Sequence, residues 1–93
     1  MERYWPGVTR SDVATTEENL WRAADGLNRA GTQVRVLSST WIPADEVVLT
    51  LFEAVQEDDV LEVCRLSDYA FDRMQPVEVV TAANRRWRGG EHD

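Results

Sequence analysis

Few side chains in this sequence are suited to chemistry, and they are tyrosine, arginine and carboxylate groups rather than imidazoles. The single histidine, His92, is next to the last residue, and all ten basic residues are arginines. This composition excludes catalysis by a core histidine or by a Schiff-base lysine. Four residues remain as candidate catalytic groups, for proton transfer or for stabilising an oxyanion: Tyr4, Arg35, Asp72 and Arg73.

Each of these candidates also has a structural interpretation. Arg35 could clamp a carboxylate or enolate oxygen, with the Tyr4 hydroxyl as a donor beside it, or it could be an ion-pair partner. Asp72 and Arg73 precede a predicted last strand, where they could act as a general base and an oxyanion stabiliser, or form a turn and a salt bridge. The sequence leaves open whether the protein is an enzyme.

The elements that position these residues follow the order strand, helix, strand, strand, helix, strand. A first helix begins after Thr9, which forms a capping box with Asp12, and ends at Gly31; a second begins at Glu57. Pro76 makes the last strand an edge strand or a bulge. The predicted strands cover residues 2–5, 34–42, 47–53 and 74–81. This order predicts an α+β, ferredoxin-like βαββαβ sandwich, with one four-stranded antiparallel sheet and both helices on one face.

The two middle strands predict a hairpin in which Ile42 faces Val47. With this pairing, one hairpin face is almost wholly apolar and is assigned to the helices; it carries Val34, Val36, Ile42, Leu49 and Leu51. The opposite, mixed face would then look at a partner or a ligand. It supplies the predicted ligand-binding residues, which are Arg35, Ser39, Trp41, Thr50 and Phe52.

A sheet face that the chain leaves uncovered predicts self-association, because monomers seldom expose an apolar patch of this size. Two sheets packed face to face give a homodimeric α/β barrel whose interior can hold a cavity. We expect residues 1–81 to form the single domain. Residues 82–93 are expected to form a flexible tail, whose arginines could contact the acidic body or an anionic partner; they are Arg85, Arg86 and Arg88.

Composition excludes several classes of partner. The 93 residues carry a net charge of −7, which disfavours binding to a nucleic-acid backbone. The most apolar stretch, residues 47–52 with Thr50 inside it, is far shorter than a membrane span. Cys64 is the only cysteine, and no signal-peptide pattern opens the chain. These features predict a cytoplasmic protein that contacts neither nucleic acid nor membrane.

Four segments of the chain carry a family pattern: Glu2–Thr9, Ser39–Glu46, Leu51–Ala54 and Phe71–Arg73. In these segments the chain resembles a bacterial family of uncharacterised small domains that includes a streptomycete nickel-binding protein. The resemblance covers residues 2 to about 80 and implies a ferredoxin-like fold and a homodimer. It does not extend to the metal, since the nickel-binding relative is expected to use histidines near its first strand, where this chain has Glu2 and Arg3. With only His92 and Cys64 as nitrogen and sulfur ligands, we expect no metal site and no cofactor.

The sequence therefore predicts a small homodimeric α/β-barrel protein that binds an apolar or aromatic small molecule without metal. One alternative is a cofactor-free cyclase, isomerase or oxygenase that acts on an aromatic natural-product intermediate. A second alternative is a purely structural dimeric interaction module. A cavity of roughly 300 Å³ or more near Arg35, Trp41 and Thr50 would favour the first two over the third.

Overall fold

Residues 1–78 and 80 are described by the computed structural model of the chain, and they contain three strands and two α-helices. The predicted tail, residues 82–93, lies outside the described residues. In chain order the elements are β1 (Glu2–Tyr4), α1 (Arg10–Arg29), β2 (Val34–Ile42), β3 (Val47–Ala54) and α2 (Glu57–Leu66). A short 3-10 turn, Pro43–Asp45, joins β2 to β3. No helix in the described part of the chain combines the length and apolarity needed to cross a bilayer.

Helix α1 begins and ends at local signals in the sequence. The Thr9 hydroxyl accepts from the Asp12 backbone N–H, and the Asp12 carboxylate accepts from the Thr9 N–H, which completes the predicted capping box. Gly31 follows the helix with a φ of 103°, a conformation that favours glycine. Leu20 and Ala24 lie four residues apart and are the buried side chains of this helix.

The sheet is antiparallel, in the order β1-β3-β2. Ile42 pairs with Val47, which confirms the predicted hairpin register. The order is compatible with a ferredoxin-like arrangement, in which a fourth strand would lie beside β1. At that position, beside β1, the described residues have one isolated antiparallel bridge, which joins Glu2 to Arg73. Residues 74–78 and 80 form no strand, so the prediction of a fourth strand was wrong for these described residues. Pro76 offers one physical reason, because it has no N–H to donate to a ladder.

A β-bulge at Leu37 decides which residues of the hairpin face the helices. The pairing changes register between Val36 and Ser38, so one extra residue of β2 is inserted opposite β3. The side chains that face the helices are therefore Val34, Val36, Ser39 and Trp41 of β2 and Val48, Thr50, Phe52 and Ala54 of β3. The prediction that Val34 and Val36 face the helices is confirmed, but it was wrong for Ile42, Leu49 and Leu51. Val48 and Thr50 are buried instead, and Leu49 is 40% exposed.

The core lies between this sheet face and the two helices. Leu20, Val34 and Val63 are fully buried, and they come from α1, β2 and α2 respectively. Cys64 and Tyr69 belong to the same cluster, and Phe52 packs against it. The opposite sheet face, here named the open face, carries Glu2, Tyr4, Arg35, Ser38, Thr40, Ile42, Val47, Leu49, Leu51 and Glu53.

Candidate functional site

A groove of about 720 Å³ lies along the edge of β3 and over the adjoining part of the open face. Its wall from the open face consists of Glu2, Ser38, Thr40, Leu49, Leu51 and Glu53. Its helix side consists of Thr50, Phe52, Ala54, Val60 and Met74. The opposite wall is the segment that follows the bridge at Arg73, including Gln75, Pro76 and Val77. We call this feature the edge groove.

The edge groove exists because β1 is much shorter than β3. Strand β1 has three residues and β3 has eight. Met1 still pairs with β3: the Thr50 N–H donates to the Met1 carbonyl at 2.8 Å, and the Met1 ammonium donates to the Thr50 carbonyl at 3.0 Å. Beyond Thr50, β3 continues to Ala54 with the segment after Arg73 on the far side of the groove. The groove therefore lies beside β3 and in line with β1, beyond the end at which β1 begins.

Carboxylates outnumber cations along the edge groove. Glu2, Glu53 and Glu57 line it, whereas Arg73 is the one cationic side chain among the described lining residues. The Arg73 guanidinium donates to the Gln75 side-chain oxygen at 3.2 Å. Glu53 is hydrogen-bonded to Arg35, which lies directly opposite it on β2. The groove is thus mainly apolar with an acidic rim.

A second group of polar side chains lies on the helix side of the sheet and is here named the inner polar cluster: Arg3, Ser39, Trp41, Thr50 and Tyr69. The Arg3 guanidinium lies 3.8 Å from the centre of the Trp5 ring and 4.9 Å from that of Tyr69. Burial raises the pKa of the Tyr69 hydroxyl, and the positive charge of Arg3 opposes part of this effect. The Ser39 and Thr50 hydroxyl oxygens are 3.2 Å apart. The buried Trp41 indole nitrogen has no hydrogen-bond partner among the described residues.

The predicted ligand-binding residues separate into three groups. Thr50 and Phe52 line the edge groove, and Thr50 is also a member of the inner polar cluster. Ser39 and Trp41 belong to the inner polar cluster, on the helix side rather than on the open face, because the bulge reverses the predicted alternation after Val36. Arg35 is on the open face, where it forms an exposed ion pair with Glu53.

The candidate catalytic residues are held by backbone contacts and ion pairs. The Asp72 carboxylate accepts from the Tyr4 backbone N–H at 2.6 Å, and the Asp72 N–H donates to the Glu2 carbonyl at 2.8 Å. The Tyr4 hydroxyl lies 3.5 Å from a Glu46 carboxylate oxygen. The structure thus brings Tyr4 and Asp72 together, places Arg73 in the groove wall, and pairs Arg35 with Glu53 instead.

Cys64 is buried beneath the sheet and is not an activated thiol. Burial raises its pKa from an ordinary value near 9 to about 11, and its sulfur lies 3.4 Å from the Met1 sulfur. Among residues 1–78 and 80, no group of three or more His, Cys, Asp or Glu side chains is arranged to hold a metal ion.

Sequence reasoning missed most of the groove walls. Leu49 and Leu51 were assigned to the helix side, and Glu2, Ser38 and Thr40 were not considered as site residues. One signal was present: the predicted first strand, residues 2–5, has four residues, whereas the predicted third strand, residues 47–53, has seven. A length mismatch between neighbouring strands leaves part of the longer strand without a partner.

Comparison with protein-family models, with curated proteins and with solved structures gave no match to this chain.

Proposed function

We propose that this chain is a homodimeric protein that binds a small, largely apolar molecule in the edge groove, with a second copy packed on the open face. The observation that carries the proposal is the edge groove itself, whose volume of about 720 Å³ lies within the usual range for small-molecule sites. Its walls come from side chains on both faces of β3 and from the segment that follows Arg73. A ligand there would be enclosed on three sides by one copy.

The open face supports the pairing of two copies. Ile42, Val47, Leu49 and Leu51 form an apolar strip along the hairpin, and Leu49 is 40% exposed. The exposed Arg35–Glu53 pair lies on the same face. Under a twofold axis one copy would present its arginine to acidic groups of the other, since an isologous interface must be self-complementary. Two such sheets packed face to face would form an α/β barrel with the groove opening to its interior.

The contacts of the candidate catalytic residues favour binding over catalysis. Asp72 uses its carboxylate and its backbone N–H to fix β1, and Arg35 is committed to Glu53. Neither is aimed into the edge groove as an unpaired reactive group. We therefore assign these residues structural roles and the groove a binding role. A cytoplasmic location stays a prediction, based on the single cysteine.

Native mass spectrometry of the gently purified protein tests both parts of the proposal. We expect a dimer that retains a small molecule. A bare dimer that binds no probe would instead support a packed interaction module, and a monomer would contradict the barrel.

Filling the groove gives a second, matched test. Val77 lines the groove and is 60% exposed, whereas Val80 lies in the same segment, is 67% exposed and does not line it. Binding of the neutral fluorescent probe N-phenyl-1-naphthylamine is expected to be lost in Val77→Trp and kept in Val80→Trp. Equal binding by both variants would show that the probe is held elsewhere, and the proposed site would be wrong.

A further inference from the structure

We infer that the ligand of the edge groove is an extended peptide segment of about four residues, bound as an added strand along β3. This inference rests on the proposed function, because it specifies the chemistry of the molecule in the same groove. It differs from a flat aromatic ligand in one respect: the main recognition groups are backbone amides rather than side chains.

The direction of the β3 backbone groups carries the inference. Both the N–H and the carbonyl of Thr50 point to the β1 side, since both bond to Met1. In an antiparallel ladder this orientation recurs every second residue, so the same groups of Phe52 and Ala54 point into the edge groove. Within the described residues, no backbone hydrogen bond joins Phe52 or Ala54 to the segment across the groove.

An aromatic ligand would cover these backbone groups without satisfying them. An unsatisfied N–H or carbonyl shielded from water opposes binding, whereas a strand placed there satisfies two donors and two acceptors. The length available is that of β3 beyond Thr50, four residues ending at Ala54, which corresponds to about 13 Å at roughly 3.3 Å per residue. This matches a short extended peptide.

The two sides of the groove also specify an alternating peptide. On the helix side the walls are apolar, with Phe52, Val60 and Met74. On the open face the groove is lined by the carboxylates of Glu2 and of Glu53, the second of which is paired with Arg35, and Glu57 adds a third carboxylate against the single described guanidinium, Arg73. Because successive side chains of a strand point to opposite faces, the ligand is expected to alternate apolar and basic residues.

The probe for this inference is the capped peptide acetyl-VKVKV-amide, titrated into the full chain by calorimetry. We expect binding that weakens about tenfold or more when the amides of the last two valines are N-methylated. Alternate amides of a strand face the same neighbour, and each lost hydrogen bond contributes roughly a few-fold in affinity. The acidic peptide acetyl-VEVEV-amide is expected to bind more weakly than the basic one. Equal binding of the methylated and unmethylated peptides would overturn the inference.

A variant of the strand edge tests the same point from the protein side. Ala54→Pro removes the N–H that faces the groove while leaving the N–H groups directed at β2, and Ala54→Ser keeps it. We expect peptide affinity to fall in Ala54→Pro and to remain in Ala54→Ser. Retained affinity in a folded Ala54→Pro protein would contradict strand addition.

Amide hydrogen exchange gives a result even if Ala54→Pro fails to fold. In the unliganded protein, the amides of Phe52 and Ala54 should exchange much faster than those of Leu51 and Glu53, which face β2, and the peptide should slow them selectively. Protection in the free chain would show that another segment already covers this edge, and the inference would be wrong. If N-phenyl-1-naphthylamine binds in the groove but the peptide does not slow exchange, the proposed function survives and the peptide assignment fails.

Discussion

Replacing Leu49 by aspartate should dissociate the proposed dimer while leaving each copy folded. Leu49 is at the middle of β3 on the open face and is 40% exposed. Full burial of a leucine contributes about 1.5–3 kcal/mol, so covering its exposed part in both copies contributes about 1.2–2.4 kcal/mol. Leu49→Asp removes this contribution and adds two carboxylates to a desolvated interface, at several kcal/mol each.

The sum exceeds about 4 kcal/mol, which corresponds to a dissociation constant about a thousandfold weaker. Sedimentation equilibrium over a wide dilution series measures this constant, and circular dichroism checks the fold. Leu61→Asp is the matched control, because Leu61 is 38% exposed but lies on α2, away from the open face. The reasoning is refuted if Leu49→Asp dimerises as tightly as the unmodified chain, or if Leu61→Asp dissociates it equally.

Three further predictions concern stability. Gly26→Ala should stabilise the protein by about 0.5–1 kcal/mol in thermal unfolding, because an added Cβ meets no atom within 4 Å and glycine weakens a helix interior; a lower melting temperature would contradict this. Thr9→Ala should destabilise by about 0.5–2 kcal/mol in urea unfolding through loss of the capping box, and Thr9→Ser should restore most of it. Cys64 has a higher pKa in the folded chain, about 11, than its ordinary value near 9, so its contribution is complete below pH 9 and is lost as the pH rises through 11. The difference corresponds to roughly 3 kcal/mol. Urea unfolding across this pH range should show the loss, and Cys64→Ala should keep only the decline due to Tyr69, whose pKa is also raised. An unchanged slope would count against the Cys64 assignment.

Local signals predicted the elements well. The Thr9–Asp12 capping box depends on residues three apart, and the register of Ile42 with Val47 depends on a short turn. Helix α2 begins at Glu57, where acidic groups favour the positive end of the helix dipole. Each of these features is determined by neighbouring residues, so the sequence contains enough information to find it.

The faces of the hairpin could not be found in the same way. A strict two-residue alternation was applied along all of β2, whereas the extra residue at Leu37 reverses it halfway. Nothing local to Leu37 marks a bulge, because it is a leucine in a run typical of a strand. The reversal is set by packing: it places Thr50 beneath the helices beside Ser39, and it leaves Leu49 and Leu51 on the open face. The edge groove was missed for a related reason, since it depends on how far β1 reaches along β3.

The bulge at Leu37 also limits how this chain can polymerise. Strand β2 is the outer strand of the described sheet, and nine regular residues there would be a template on which one copy after another could stack into a fibre. The extra residue divides that template into runs of three residues, 34–36, and five residues, 38–42. A neighbour docking along this edge would therefore find only short stretches of matching ladder. The bulge therefore disfavours growth by strand edges, whereas the face-to-face pairing that we propose closes on itself after two copies.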